Sequence, residues 1–477
     1  MTDWKRIFTA VALLAVVAGC APGTGQATAA PASAAASQGG GASPFGVPTA
    51  SGSSGPAATA RAAFPTFDTT TPATLVEWDT ETSAGPSTAM DTLNTAFMAK
   101  YPNVTIKRTA KNFDDYVATI KLAASAPDAP DVFQGNEGYQ VDAALAKAAL
   151  MLPLDDYAKA YGWDTRFGSS QTLDVLRWSS DGTTWTKGPL WGIPQKAEVL
   201  GAFYNKNALQ KLGLSVPTTF AEFELSLATA NAKGVPGIVV GGLDGWPLGH
   251  IFMILQALFE DPQQIANWTF GVAGSNFDTP GTQKAASVLQ DWATKGYFAK
   301  GYAGIGQDNA AARFAKGEGL YFLTGPWENG TFAPMGTNVG FFTMPGPDTA
   351  TASHTTGSPS LPFHISSKSK HADVAAAYLD FITSPQAANV VAKNGDLPAA
   401  PLADTSVVAA GTSLAAIING LEAKSRAGLL TPYLDWATPT MGDTLFGDLQ
   451  KLMAGKLTPA QFTAEVQSDW SKNHPSR

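Results

Sequence analysis

Apolar and polar residues follow two different periods along the chain after about residue 67. Short apolar runs at 75–78, 104–106 and 131–133 are typical of β-strands. Between them, apolar side chains recur three and four positions apart, which predicts one helix over 88–101 and another over 113–124. The order strand, helix, strand, helix, strand predicts an α/β fold, in which helices cover the faces of the sheets.

Capping residues predict where several helices begin. Thr88 and Asp91 have the spacing of a capping box, and they predict the start of the first helix. Similar signals predict further helix starts at Thr219, Thr279, Ser384 and Thr458. After the last of these, Phe462, Val466 and Trp470 stand four residues apart and predict a buried helical stripe.

The first 20 residues have the pattern of a targeting segment. Lys5 and Arg6 precede an apolar stretch at 7–17, which is shorter than the roughly 20 residues that a helix needs to cross a bilayer. The residues 17–20, Val-Ala-Gly-Cys, resemble the lipobox of bacterial lipoproteins. The resemblance implies cleavage before Cys20 and a diacylglyceryl lipid on its sulfur. The alternative is an ordinary secretory signal followed by a chance cysteine.

A low-complexity segment separates this cysteine from the folded part. Residues 21–65 are almost entirely Ala, Gly, Ser, Thr and Pro, and such a segment buries too little apolar surface to become ordered. It predicts a flexible tether with a coil dimension of roughly 35–40 Å. We therefore expect a signal peptide at 1–19, a lipidated cysteine with its tether at 20–65, and a folded part from residue 66.

The net charge and the residue composition argue against several classes of function and site. The net charge is −8 and no Lys/Arg cluster follows the first residues, so a nucleic-acid partner is not expected. Cys20 is the only cysteine, which excludes an internal disulfide. The five histidines have no metal-binding spacing, so we expect neither a metal nor a cofactor.

Five segments, in this order and at these spacings, resemble the family 1 extracellular solute-binding proteins, the maltose-binding-like sugar receptors. They are 74–78 (TLVEW), 192–205 (GIPQKAEVLGAFYN) with 209–220, 317–327 (GEGLYFLTGPW), 377–398 (from AYLDFITSP to GDLP), and the helical stretch 449–470. The segments 181–191 and 349–358 depart from the family pattern. The resemblance covers nearly the whole folded part, so it implies the fold of the family.

That fold is the two-lobed periplasmic-binding-protein fold of type II, α/β, with mixed sheets flanked by helices and a cleft between the lobes. We expect 66–199 and 358–400 in lobe I, and 200–357 and 401–477 in lobe II. The chain would cross between the lobes near 197–199, 355–360 and 400. Ligand would bind in the cleft and be held by hinge closure.

The resemblance also implies a function and partners. The chain would bind a sugar, preferably an oligosaccharide, outside the cytoplasm and deliver it to the transmembrane permease subunits of an ABC importer. It would act as a monomer, held by its lipid at the outer face of the bacterial cytoplasmic membrane, and it would have no catalytic residue. A receptor role without an importer, as a sensor or adhesin, is an alternative.

A sugar offers apolar C–H faces and a ring of hydroxyls, so its receptor needs flat aromatic surfaces and planar polar side chains. By family position and loop context, we expect three groups of ligand contacts. The aromatic contacts are Trp327, Trp246 and Trp436; the polar contacts of the first lobe are Asp79, Glu81, Gln134, Asn136, Glu137 and Glu198; and the polar contact of the second lobe is Asp244. His250 lies beside these positions and could instead cap a helix or pack. For each tryptophan the alternative is a place in the core.

Other ligands and chemistries stay open at this point. Glu198 and Asp79 could serve as the two carboxylates of a glycosidase, although hydrolysis would defeat an importer that must release its cargo intact. A polyamine or an amino acid could replace the sugar, and a cation would require clustered acids beside an aromatic box. No nucleophile elbow or phosphate-binding loop is found in the folded part.

Overall fold

The computed structural model describes residues 68–167, 170–349 and 352–474. The predicted signal peptide, Cys20 and the tether lie outside these residues. The helices are α1 Ala84–Lys100, α2 Phe113–Ser125, α3 Asp142–Lys147, α4 Asp155–Tyr161, α5 Trp163–Arg166, α6 Lys206–Lys211, α7 Phe220–Ala232, α8 Trp246–Phe259, α9 Pro262–Thr269, α10 Pro280–Thr294, α11 Gln307–Ala315, α12 Ala372–Ile382, α13 Pro385–Lys393, α14 Ser413–Arg426, α15 Met441–Met453 and α16 Pro459–Asn473.

The strands are β1 Ala73–Asp79, β2 Val104–Ala110, β3 Val132–Gln134, β4 Arg177–Trp178, β5 Trp185–Leu190, β6 Gly192–Ile193, β7 Lys196–Val199, β8 Gly201–Asn205, β9 Tyr321–Thr324, β10 Val339–Phe342, β11 Thr355–Ser360, β12 Phe363–Ile365 and β13 Leu430–Thr431. Short 3-10 turns span Ser170–Leu176, Tyr302–Gly304, Pro326–Glu328, Ala333–Asn338, Thr405–Val407 and Leu434–Ala437. The predicted α/β class is confirmed.

The first lobe is built on a five-stranded mixed sheet in the order β2-β1-β3-β12-β6. β1 pairs in parallel with β2 and β3, while β12 runs antiparallel to β3 and β6. The three predicted strands are β1, β2 and β3, and the two predicted helices between them are α1 and α2. Because the parallel strands end at one edge of the sheet, the residues that follow β1 and β3 meet there.

The second lobe contains the antiparallel sheet β10-β8-β9. The apolar residues 238–240 suggest a strand in sequence, but they form none; Ile238 instead makes isolated bridges with Phe298 and Tyr321. A separate sheet has the order β13-β11-β7, in which β11 pairs antiparallel with β7 and parallel with β13. It joins the segments where we predicted the first two crossings, because Val199 opposes Gly357 in its register.

Most of the predicted helix starts are confirmed. The side chains of Thr219, Thr279 and Ser384 each accept a backbone N–H of the first helical turn, and Thr458 forms a full capping box with Gln461. The start predicted at Thr88 is wrong, because α1 begins at Ala84 after Ser83. Thr88 lies inside the helix, where its hydroxyl donates to the Ala84 carbonyl at 2.7 Å.

The tryptophans that we did not assign to the cleft lie inside the molecule. Trp163, Trp178, Trp185, Trp268, Trp292 and Trp470 are all buried. Tyr139 packs edge-on against Trp178, at 5.0 Å between ring centroids. Within the described ranges, no helix has the length and apolar character needed to cross a bilayer.

Candidate functional site

A cavity of about 480 Å³ is lined by residues from both lobes. It lies where the loops after β1 and β3 meet the start of α8, the 3-10 turn Pro326–Glu328 and the loop after β13. Its volume is in the range of small-molecule sites, about 300–1,000 Å³. It is therefore our candidate ligand site.

Eight of the ten predicted contacts line this cavity: Glu81, Asn136, Glu137, Glu198, Asp244, Trp246, Trp327 and Trp436. His250 lines it as well. The structure does not bring Asp79 or Gln134 to the cavity surface, since both are fully buried behind the loop that follows β1. Whether the lining residues contact a ligand stays a prediction.

Asp79 and Gln134 hold that loop in place. Asp79 accepts from Arg108 at 2.5 Å (Nε) and 2.9 Å (Nη2), and from the backbone N–H of Glu81 at 2.8 Å. Gln134 accepts from the Thr80 backbone N–H and donates to the Glu81 carboxylate, both at 2.7 Å. These hydrogen bonds occupy the polar atoms of Asp79 and Gln134 that we expected to contact a ligand. Asp79 therefore does not line the cavity beside Glu198, as the second carboxylate of a glycosidase would.

A buried lysine, which the sequence analysis missed, neutralises Glu81. Lys196 Nζ lies 2.5 Å from Glu81 Oε2 and 3.1 Å from Asp396 Oδ2. Burial by itself lowers the pKa of Lys196, but the two carboxylates outweigh burial and raise it above the ordinary value. Lys196 therefore stays charged, and its charge is already shared between two acids.

The deep end of the cavity is formed by two loops that touch. Trp436 Nε1 donates to Asn136 Oδ1 at 3.3 Å, and Asn136 Nδ2 donates to Asp435 Oδ2 at 3.4 Å. Gly138, at a φ of +106°, permits this approach, because a Cβ there would stand 2.6 Å from the Trp436 Cα. The glycine thus places the residues after β3 directly against the Trp436 loop.

Glu137 stands at this deep end with an unsatisfied carboxylate. Its side chain is 1% exposed, and neither oxygen accepts a hydrogen bond from another described residue. Burial, then repulsion from Asp142 and also from Glu198 and Asp435, raises the pKa of Glu137 well above its usual range. Burial likewise raises the pKa of Asp435 to about 6.

Aromatic rings form a continuous wall along the second lobe. The Trp246 and Trp327 ring centroids are 6.2 Å apart, and His250 lies 5.0 Å from the first and 5.3 Å from the second. Tyr433 continues the series at 5.8 Å from His250 and 5.2 Å from Trp436. Trp246 and Trp327 are only partly buried, so part of each indole is open to a ligand.

His250 belongs to this wall as a neutral ring. Burial lowers the pKa of His250 to about 3, so it carries no charge at neutral pH. Its Nδ1 is buried and has no hydrogen-bond partner among the described residues. A neutral imidazole there can exchange one hydrogen bond with a hydroxyl while its face packs on the two indoles.

Further acids line the cavity opposite the deep end. Asp244 accepts from the backbone N–H of Gln307 at 2.7 Å, at the start of α11. Burial, with a contribution from Asp308, raises the pKa of Glu328 to about 7. Partial burial, with a contribution from Asp244 across the cavity, raises the pKa of Asp114 to about 6.

Several lining residues besides Lys196 were not predicted from the sequence. Tyr433 and Asp435 are neighbours of Trp436 and could have been found from that proximity. Asp114 falls inside the helix predicted over 113–124 and was given no role of its own. Gln307, Asp308 and Glu328 carry no local signal, because they reach the cavity through the packing of α11 and the turn Pro326–Glu328.

Comparisons with known proteins agree with this architecture. The profile of the family described as bacterial extracellular solute-binding protein matches residues 79–389. A multiple sugar-binding protein of Streptococcus mutans is 25% identical over 224 residues, which are 45% of this chain and 51% of the relative. An ABC transporter extracellular-binding protein of Pyrococcus horikoshii is 24% identical over 327 residues, 65% of this chain and 67% of that protein.

A solved structure is similar over almost all of the described fold. It is a chitin oligosaccharide binding protein, with a TM-score of 0.73 and 20% identity over 85% of this chain and 100% of that one. This similarity confirms the two-lobed fold that the five segments implied. The chain spans 51% of the first curated relative and 67% of the second, so what those proteins bind does not transfer by similarity alone.

Proposed function

The chain belongs to the bacterial extracellular solute-binding protein family, and we propose that it is the sugar-binding receptor of an ABC importer. The family places it outside the cytoplasm. In this proposal an oligosaccharide binds in the cavity between the lobes, the lobes close on it, and the loaded receptor delivers it to permease subunits. The similarity to a multiple sugar-binding protein and to an ABC transporter extracellular-binding protein supports the proposal.

The observation that carries the sugar assignment is the aromatic wall beside carboxylates and amides. Trp246 and Trp327 offer flat surfaces for the C–H faces of sugar rings. Asn136, Glu198 and Asp244 line the same cavity and can pair with hydroxyl groups. A series of rings 5–6 Å apart suits a chain of sugar units better than a single small solute.

We also propose the lobe boundaries expected from the sequence, with 66–199 and 358–400 in lobe I and 200–357 and 401–477 in lobe II. The sheet β13-β11-β7 supports the crossings, since it ties 196–199 to 355–360 near the cavity. Its position between the sheets of the two lobes suits a hinge, because strands that cross there can bend without disturbing either core.

The proposal also includes that the protein binds its ligand without converting it chemically. Members of the family are binding proteins, and Asp79 is tied to Arg108 rather than placed beside Glu198 as a second catalytic carboxylate. We expect a bound oligosaccharide to leave the protein uncut.

The anchor is part of the same proposal. Lipidation of Cys20 would hold a monomeric receptor at the membrane, and residues 20–65 would allow it to reach the permease. Cys20→Ser should remove metabolically incorporated fatty acid from the protein and move it from the membrane fraction to the soluble fraction. A variant that stays acylated would contradict the anchor.

Uptake tests the receptor role directly. Cells that lack this chain should fail to accumulate a labelled oligosaccharide that cells carrying it take up. Restoring the chain should restore uptake, and restoring Trp327→Ala should not. Unchanged uptake of every tested saccharide in the deleted cells would overturn the proposal.

A further inference from the structure

The charges that line the cavity are unbalanced. Among the described lining residues there are nine carboxylates and one lysine. That lysine, Lys196, is already paired with Glu81 and Asp396. Because His250 is held neutral by burial, no other cationic side chain faces the remaining acids in the lining.

The most buried of these acids, Glu137, lies at the deep end of the cavity. Glu137 is almost fully buried, it lines the cavity, and its carboxylate oxygens accept no hydrogen bond from any other described residue. Glu198 and Asp435 line the same end and repel it. Burying an isolated carboxylate costs free energy unless a cation or strong hydrogen-bond donors compensate its charge. Glu137 therefore favours a ligand that brings such a group into the cavity.

In the empty cavity, burial raises the pKa of Glu137 and favours its protonated, uncharged form. Hydroxyl groups of a neutral sugar can hydrogen-bond to Glu137, but they supply no counter-charge for its carboxylate. A protonated amine does both, because it carries three N–H donors on one positive charge. A metal ion is a poorer fit, since no group of three or more acids, histidines or cysteines in the described ranges is arranged to hold one. The adjacent rings of Tyr433 and Trp436, 5.2 Å apart, add faces that attract cations.

We propose that the physiological ligand is an amino sugar, an oligosaccharide with at least one protonated amino group seated between Glu137, Glu198 and Asp435. This inference rests on the proposed function and narrows its substrate class. The sugar rings continue from the amine along Trp246 and Trp327. A linear polyamine would satisfy the acids but leave the extended ring wall without a flat partner, so we assign the saccharide.

Three β-1,4-linked tetrasaccharides that differ only at C2 test the inference: those of glucosamine, N-acetylglucosamine and glucose. The full chain in mild detergent is titrated with each by calorimetry at pH 5.5. A simple α-amino group titrates at about 7.7–8.0 and neighbouring ammonium groups lower that value, so the lower pH keeps the glucosamine amines protonated. We expect the glucosamine oligomer to bind at least about tenfold more tightly than both neutral oligomers.

Two variants locate the effect. Glu137→Gln keeps the shape and removes the charge, and it should weaken the glucosamine oligomer about tenfold or more while changing neutral oligomers less than about threefold. The retained neutral binding then shows that the variant is folded. Glu465→Gln removes a charge from an exposed carboxylate outside the cavity and should change neither class more than about threefold.

The outcomes separate this inference from the proposed function. If neutral oligomers bind as tightly as the glucosamine oligomer, or Glu137→Gln weakens all three equally, the amino-sugar inference fails and the sugar receptor stands. If no saccharide binds, both fail, and spermidine binding in the same titration would then identify a polyamine receptor.

Discussion

At the residue scale, the Trp327 indole is the central element of the aromatic wall. It lies over Gly325, where a Cβ would come within 1.9 Å of the ring, and it contacts Trp246 and His250. The glycine therefore makes room for the indole to lie flat at the edge of the cavity, partly exposed to a ligand.

Trp327→Ala should raise the Kd for the cognate saccharide about 30-fold, because removing an aromatic anchor from a binding site typically costs about 2 kcal/mol. Trp327→Phe should lose less, since a flat face remains. Trp292→Phe, in the core and away from the cavity, should lower thermal stability and leave the Kd unchanged. Calorimetric titration measures all three, and an unchanged Kd for Trp327→Ala would remove it from the site.

The Glu328 carboxyl should make stability depend on pH. Its folded pKa is raised to about 7 from an ordinary value of 4.5, so the folded state keeps a proton that the unfolded state releases between these values. The protonated Glu328 therefore stabilises the folded state at low pH, and this contribution to the free energy of unfolding is lost as the pH rises through this window.

Glu328→Gln cannot titrate, so it should be more stable than the natural protein at pH 8, by up to about 3 kcal/mol. The difference should vanish near pH 4.5. Urea denaturation at the two pH values measures it, and Glu465→Gln, at an exposed position, reports the effect of removing a surface charge. Equal stability of Glu328→Gln and the natural protein at pH 8 would contradict the raised pKa.

Individual residues differed in how far the sequence could predict them. Trp246 and Trp327 stand next to glycine and proline in loops, and that context, with family position, predicted their exposure to a cleft. Trp436 was predicted from family position alone, and it lines the cavity although it is buried. Asp79 looked equivalent to Glu81 in sequence, but Arg108 on β2 turns it inward. No sequence signal reports that ion pair, because it joins residues on separate strands.

At the element scale, the two loops of the deep end are held together by backbone geometry. Gly138 has a φ of +106°, and a Cβ there would lie 2.6 Å from both Cα and Cβ of Trp436. Gly455 also has a positive φ, of +69°, but nothing lies within 4 Å of its virtual Cβ. Substituting each of these two glycines therefore distinguishes the cost of backbone strain, which both share, from displacement of the Trp436 loop, which only Gly138 would cause.

Gly138→Ala should push the Trp436 loop away and weaken saccharide binding at least about tenfold, in addition to lowering stability. Gly455→Ala should cost only about 1–2 kcal/mol of folding free energy and leave the Kd unchanged. Denaturation and titration of both variants check this. If the two variants bind alike, contact between the loops does not set the affinity.

Helix boundaries were predictable where one side chain determines the start. Thr219, Ser384 and Thr458 cap their helices as predicted, because a hydroxyl that accepts the first free N–H works locally. Thr88 failed since the capping-box spacing also occurs inside a helix, and the true start at Ala84 has no side-chain cap. Short strands such as β13 were not predicted, because their pairing depends on distant partners.

At the scale of the whole molecule, the cavity depends on contacts between segments far apart in sequence. The sheet β13-β11-β7 pairs Glu198 with Ser358, and β13 leads directly into the loop that carries Tyr433 and Asp435. The two-lobed fold was predictable because family segments recur in order along the chain. The acidic balance of the cavity was not, since its carboxylates come from both lobes and meet only in the fold.

Like charges also face each other across the cavity. Asp114 on α2 and Asp244 before α8 lie close enough that Asp244 helps to raise the pKa of Asp114 to about 6. A ligand that supplies hydrogen-bond donors or positive charge between them would favour the closed arrangement of the lobes, while an empty cavity leaves them in mutual repulsion.

The most direct test of a sugar receptor is thermal unfolding of the full chain against mono- and oligosaccharides, amino acids and polyamines. A saccharide at 100 times its Kd should add about 2.7 kcal/mol of stability and raise the unfolding midpoint. Trp327→Ala should lose that shift, and mass spectrometry should recover the saccharide uncut. A shift with a polyamine or an amino acid but with no saccharide, or recovery of a cleaved saccharide, would contradict the account.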